Sequence, residues 1–193
     1  EGGKAAQDFL DNLRGNAPME NVVQSARRAV SNMRVARSAA YRSGMADVGK
    51  DKSILDFTPI DDELNKVQGI SSYKGQDISP ETADVRQKLN SIVDNWKTLD
   101  PSDFHTPEGM DALKQKIGNV KNSLQFGTPE RLAAERVYNS VRGAISEQAP
   151  QYSKVMGDYE NASDALDEIQ RSLSLGKRAT TDTALRKLQS IMR

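Results

Sequence analysis

Four times between residues 58 and 130 a hydroxyl residue and a proline are followed at once or within two residues by an acid: Thr58-Pro59-Ile60-Asp61, Ser79-Pro80-Glu81, Thr106-Pro107-Glu108 and Thr128-Pro129-Glu130. Each is a helix start. The hydroxyl can accept from a free backbone N–H, the proline fits the first turn where its missing N–H costs nothing, and the acid sits by the positive end of the helix dipole. The starts are 21, 27 and 22 residues apart, counted between the positions just given. That spacing is too irregular for a solenoid repeat and suits successive helices of up to about five turns.

The apolar residues between these starts keep helical spacing. Val85, Leu89, Ile92, Trp96 and Leu99 share one face of a helix expected from Pro80 to Leu99. Met110, Leu113, Ile117, Val120 and Leu124 do the same from Pro107 to Phe126. The stretch Thr128–Leu175 reads as a helical hairpin broken at Pro150. Its first arm carries Ala134, Val137, Val141, Ala144 and Ile145, and its second Tyr152, Val155, Tyr159, Ala162, Leu166, Ile169 and Leu173, at alternating intervals of three and four. The expected fold is therefore all-α: an elongated antiparallel helical bundle with coiled-coil-like seams and no sheet. Its parts are an N-terminal arm and connector (1–57), the bundle (58–175) and a basic amphipathic helix (176–193), the last capped by Thr181 and running through Leu185, Leu188, Ile191 and Met192.

Only 36% of the residues are hydrophobic and 5% aromatic, against 28% charged, which suits narrow apolar stripes better than a thick globular core. No run approaches the roughly 20 apolar residues that span a bilayer, and no secretory leader opens the chain. From the start Glu1-Gly2-Gly3, without methionine, a fragment or a processed piece of a longer protein is expected. Cysteine is absent, which excludes disulfides and thiolate chemistry, and His105 is the only histidine. With no second histidine or serine motif beside it, His105 reads as a loop residue bonded to a helix start. The acids Asp61-Asp62-Glu63 read as a helix first turn, and Asp158, Glu160, Asp164, Asp167 and Glu168 as a solvated face. No Walker, calcium-loop, Glu-x-x-His or dinucleotide motif occurs, so no enzyme, metal or cofactor is expected.

The formal charge is zero but unevenly spread: 8 Lys/Arg against 5 Asp/Glu in residues 1–50, 13 against 21 in 51–170, and 6 against 1 in 171–193. The ends are basic and the middle acidic, a distribution that favours contacts between copies or neighbours in an assembly. A short helix is expected from Lys4 to Arg14. After Pro18 comes a longer one whose seam, Met19, Val22, Ala26, Ala29, Met33, Ala36 and Ala40, is mostly alanine. Such a seam admits a partner closely but buries little area, at about 25 cal/mol per Å². It is the candidate partner interface, and self-association through it is expected. Arg27, Arg28, Arg34, Arg37 and Arg42 on the same helix form either a polyanion contact or a solvated, inter-subunit face.

The segments Leu55-Asp56-Phe57-Thr58-Pro59, Asn95-Trp96-Lys97, His105-Thr106-Pro107-Glu108-Gly109, Leu113-Lys114-Gln115-Lys116, Ala149-Pro150-Gln151-Tyr152 and Thr183-Ala184-Leu185-Arg186-Lys187-Leu188 resemble, in order and phrasing over about residues 38–193, helical segments of tailed-bacteriophage and prophage virion proteins. These are internal, DNA-ejection or tail-associated structural proteins. The resemblance implies a non-enzymatic structural or assembly module that packs with itself or other virion proteins, located in the phage particle or, during assembly, in the bacterial cytoplasm. It transfers no site residue. The alternative is a stand-alone helical adaptor that binds a partner protein or polyanion through residues 19–43.

Overall fold

The computed structural model describes residues 19–173, and 82% of them are helical. The helices expected at Lys4–Arg14 and after Thr181 lie outside the described residues, as do the side chains of Met19 and Leu173. In chain order the elements are α1 (Met19–Val48), α2 (Thr58–Ser71), β1 (Ser72–Tyr73), β2 (Gln76–Asp77), α3 (Pro80–Thr98), α4 (Pro101–Phe104), α5 (Pro107–Asn122), α6 (Pro129–Gln148) and α7 (Pro150–Leu173). Among the described residues every proline stands in the first turn of a helix: Pro59, Pro80, Pro101, Pro107, Pro129 and Pro150. Local chemistry thus places the helix starts before any packing.

The expected caps differ in detail. Thr106 Oγ1 accepts from Gly109 N at 3.2 Å and Thr128 Oγ1 from Arg131 N at 3.3 Å. Ser79 instead pairs its hydroxyl with that of Thr82, at 2.7 Å. At α2 the cap moves upstream, where Asp56 accepts from the N–H of Thr58 at 2.9 Å and from its hydroxyl at 2.8 Å. The same Asp-x-Ser/Thr turn recurs at Asp100 with Ser102 and at Asp51 with Ser53.

The contacts divide the chain into two compact units: residues 1–44 with 155–193, and Met45–Lys154. This division differs from one at residues 57 and 175, because Val48 and Leu55 are buried within the second unit. In that unit α6 is the centre. Its small residues Ala133, Ala134, Val137, Val141 and Ala144 are all buried, as is Ile145, and α2, α3 and α5 pack around it. The surrounding helices turn inward Ile60, Leu64 and Val67 of α2, Ala83, Leu89, Val93 and Trp96 of α3, and Met110, Leu113, Ile117 and Val120 of α5.

Three expectations are corrected. The hairpin of Thr128–Leu175 does not form as such: the α6 stripe is covered by α2, α3 and α5, while residues 155–163 of α7 meet α1. Only Ala149 separates α6 from α7, less than the roughly 2–8 residues a helical hairpin uses. A sheet also exists. β1 and β2 pair antiparallel, Ser72 with Asp77 and Tyr73 with Gln76, around Lys74 (φ 48°) and Gly75 (φ 80°). Two successive positive φ angles make the tight turn whose twist matches paired strands, and glycine supplies one without strain. Finally, α5 stops at Asn122, leaving Phe126 exposed and not in a helical stripe.

Two glycines in helices separate intrinsic preference from packing. A Cβ on Gly109 would lie 2.5 Å from the carbonyl carbon of Phe104 and 2.6 Å from Asp103 O, both backbone atoms, whereas one on Gly69 would meet nothing. Gly69→Ala is expected to stabilise by about 0.5–1 kcal/mol. Gly109→Ala should instead destabilise by about 1–3 kcal/mol. Urea midpoints of the two variants check this.

Acid should weaken the loop turns. Asp51 and Asp100 are each held below the ordinary 3.8 by a serine hydroxyl first and the adjoining N–H second, and Asp56 by the N–H and then the hydroxyl of Thr58. Their folded pKa values are depressed, so their contribution is present above the unfolded value and is lost as pH falls through the folded one. Thermal midpoints should drop on going from about pH 5 to pH 3, and less steeply in Asp56→Asn/Asp100→Asn.

Candidate functional site

The first unit is organised by α1 running antiparallel to α7. Arg37 Nη1 donates to Ser163 Oγ at 3.0 Å, the rings of Tyr41 and Tyr159 meet edge to face at 5.2 Å, and Arg37 lies over the Tyr159 ring at 4.9 Å. A Cβ on Gly44 would meet the Val155 side chain at 2.6 Å, so glycine is what lets the two helices close there. Moving up α1 by four residues moves the partner down α7 by four. Continuing that register puts Arg42 level with Asp158, and Ala36 within a residue of Ala165.

The candidate interface residues divide into two groups. Val22, Ala26 and Ala29 are buried in this chain, together with Val23 and Val30, so they are not open to a partner. Met33, Ala36 and Ala40 are exposed, Met33 at 38%. The reason is geometric. A strict seven-residue repeat drifts by about 20° per heptad on a straight α-helix, so a seam spanning three heptads rotates off its starting face by about 60°. By the level of Arg37 the contact with α7 belongs to Arg37, Tyr41 and Gly44, and the alanines have moved to one flank.

That flank has a counterpart. On α7, Ala162, Ala165 and Ile169 are displaced from the contact residues Val155, Tyr159 and Ser163 in the same rotational sense as Ala36 and Ala40 are on α1. The local two-fold that relates antiparallel helices preserves the side, so both sets lie on one side of the pair. Ala165 is exposed, and Ala162 and Ile169 are half-buried. The side also carries charge: Asp158 lies on it, and by the same spacing so do Asp47 of α1 and Lys154 of α7. The opposite side carries Arg27 and Arg34 of α1 with Glu160, Asp164 and Asp167 of α7, all exposed. Of the candidate polyanion residues, Arg28 and Arg42 point outward with Val35 between them, Val35 being 65% exposed. Arg37 is removed from that set by its contacts with Tyr159 and Ser163.

In the second unit the groups that could carry chemistry are engaged as joints. His105 is buried. Its Nε2 lies 2.8 Å from Trp96 O, its ring packs on Phe57 at 4.8 Å, and its carbonyl accepts from Leu55 N at 2.8 Å. Trp96 Nε1 in turn donates to Phe104 O at 2.9 Å. Asp61 pairs with Lys97 at 2.6 Å and Glu63 with Arg136 at 2.7 Å, so two of the three first-turn acids tie helices together. Among the described residues no cluster of His, Cys, Asp or Glu is arranged to hold a metal, and no helix is long and apolar enough to cross a membrane.

Sequence reading missed a buried ionic cluster. Lys114 Nζ donates to Tyr152 Oη at 2.7 Å and sits 3.0 Å from Asp111 Oδ1. The Tyr152 hydroxyl donates to the same carboxylate oxygen at 2.6 Å. Gln115 Nε2 donates to Asp111 Oδ2 at 2.8 Å. Tyr152, at the start of α7, is thereby tied to α5. A signal was present, since Asp111 and Lys114 each directly follow a core residue, Met110 and Leu113, and so border the buried stripe.

Asp111→Ala should cost about 3–5 kcal/mol, because it removes the carboxylate that pairs with the buried Lys114 ammonium. Asp111→Ala/Lys114→Met should recover much of that loss. A double-mutant cycle in urea measures the coupling.

No protein-family model, curated protein or solved structure matches the chain.

Proposed function

We propose that the chain is a non-enzymatic helical module that works by packing into an assembly, in keeping with the resemblance of its sequence to phage virion proteins. One observation carries the reading: the α1–α7 pair has an apolar, small-residue side and a charged side, both on the surface. A helix pair with one side made mostly of small apolar residues is suited to lateral packing against further helices in a coiled-coil-like seam. His105 and the Asp111–Lys114–Tyr152 cluster support a non-catalytic role, since both are spent on internal joints.

A second reading is favoured by the outward arginines Arg28 and Arg42. In it the chain is an adaptor that holds a polyanion along α1. Mass spectrometry of purified particles from the phage or induced prophage that encodes the chain tests the first reading. Its peptides are expected in the particles at a fixed copy number. Presence in lysate but not in particles removes the virion reading, and DNA binding that weakens steeply with salt and is lost in Arg28→Ala/Arg42→Ala would put the adaptor in its place.

A further inference from the structure

We infer that the outward face of α1 lies across the major groove of double-stranded DNA, with Arg28 and Arg42 on the two phosphate walls. Duplex DNA is then the polyanion of the adaptor reading, on which the inference rests. On α1 the contact residues Arg37, Tyr41 and Gly44 face α7, while Arg28, Val35 and Arg42, spaced by seven, point away from it. All three are exposed, Val35 at 65%, and from Asn21 to Ala46 the helix carries no acid. Arg27 and Arg34 share their side of the pair with Glu160, Asp164 and Asp167, so a polyanion meets little net charge there. The outward face is free of that compensation, because the α7 acids lie about a helix diameter, roughly 10 Å, behind it.

Spacing and side-chain chemistry select the ligand. The helical rise from residue 28 to residue 42 puts Arg28 and Arg42 about 21 Å apart. The major groove of B-DNA is about 12 Å wide and admits an α-helix, so each arginine extends past one edge of the groove to a phosphate, an acceptor that suits the guanidinium fork. Between them the exposed residues Ser31, Val35 and Ala39 are uncharged and none is long, so nothing holds the helix off the groove. None of the three is an arginine, asparagine or glutamine, the side chains that read a base edge with two hydrogen bonds, and binding is therefore indifferent to sequence. Single strands bind on stacked aromatics, and Tyr41, the one aromatic residue of α1, is packed on Tyr159. Duplex RNA has a deep, narrow major groove that side chains do not enter. An anionic membrane surface needs a broad apolar face beside the arginines, and Val35 is the only large apolar residue this face offers.

Fluorescence anisotropy of a short labelled DNA duplex, titrated with the full chain, tests this. Two phosphate contacts give a log–log salt slope near −2, so affinity should fall about tenfold from roughly 50 to 200 mM salt. Arg28→Ala/Arg42→Ala should abolish the binding and leave the helical circular-dichroism signal unchanged, since both residues are exposed. The separated single strand, duplex RNA, inorganic polyphosphate and phosphatidylserine vesicles should each bind severalfold more weakly than the duplex. Undiminished duplex binding by the double variant would overturn α1 as the site. Single strand, duplex RNA or polyphosphate bound as tightly as duplex DNA would overturn the groove and leave the adaptor reading standing. A preference for the vesicles would replace DNA with a membrane surface, and a failure of the unmodified chain to bind any of these ligands would remove the adaptor reading as well.

Discussion

Small side chains along α6 set how closely the Met45–Lys154 unit can pack. Ala133, Ala134, Val137, Val141 and Ala144 are buried while three helices converge on them, and the large side chains, Ile60, Leu89, Met110, Leu113 and Ile117, come from those neighbours. Large residues set against a slender central helix fill the space that its small side chains leave. The arrangement leaves little slack. A larger residue on α6 would press on α2, α3 and α5 together, so errors at one contact would spread to the others. The corners of the unit are accordingly held by polar groups with defined geometry. Gln148 accepts from Asp56 N at 2.7 Å and donates to Asp56 O at 3.1 Å, which fixes the connector to the end of α6, and His105 and Trp96 lock α3 against α4 and the start of α5.

Helix positions were legible because their signals are local. A proline preceded by a hydroxyl or an acid needs no tertiary structure to start a helix, and the stripes Met110–Val120 and Ala134–Ile145 were readable because each is buried along its whole length. Partners were not legible. Periodicity reports that a face is apolar and says nothing of which face it meets. It therefore pairs the stripes of α6 and α7, adjacent in sequence, although Tyr152 is bonded to α5 and Tyr159 packs on α1. Hydropathy also assigns Asp111 and Lys114 to the surface, since a charge buried beside its countercharge looks in sequence like any solvated pair. The hairpin at Lys74-Gly75 escapes because two strands of two residues carry no period. Its one signal is the glycine.

The alanine seam of α1 shows what a heptad can and cannot mean. Seven residues at alternating three and four spacing suggest a single interface, yet on a nearly straight helix the same spacing winds slowly around the axis. The residues from Val22 to Val30 are covered within the chain, and those from Met33 to Ala40 come to lie beside the contact line instead of on it. There the contact is made by an arginine, a tyrosine and a glycine, which hold α7 by a hydrogen bond, ring packing and close approach. Because the polar and aromatic groups supply the join, the alanines are released to the flank, and the same drift on α7 releases Ala162 and Ala165 to the same side. A pair of helices held by specific polar contacts keeps its register even with an apolar side uncovered, and that lets one surface be stable in a free chain and still be available for packing.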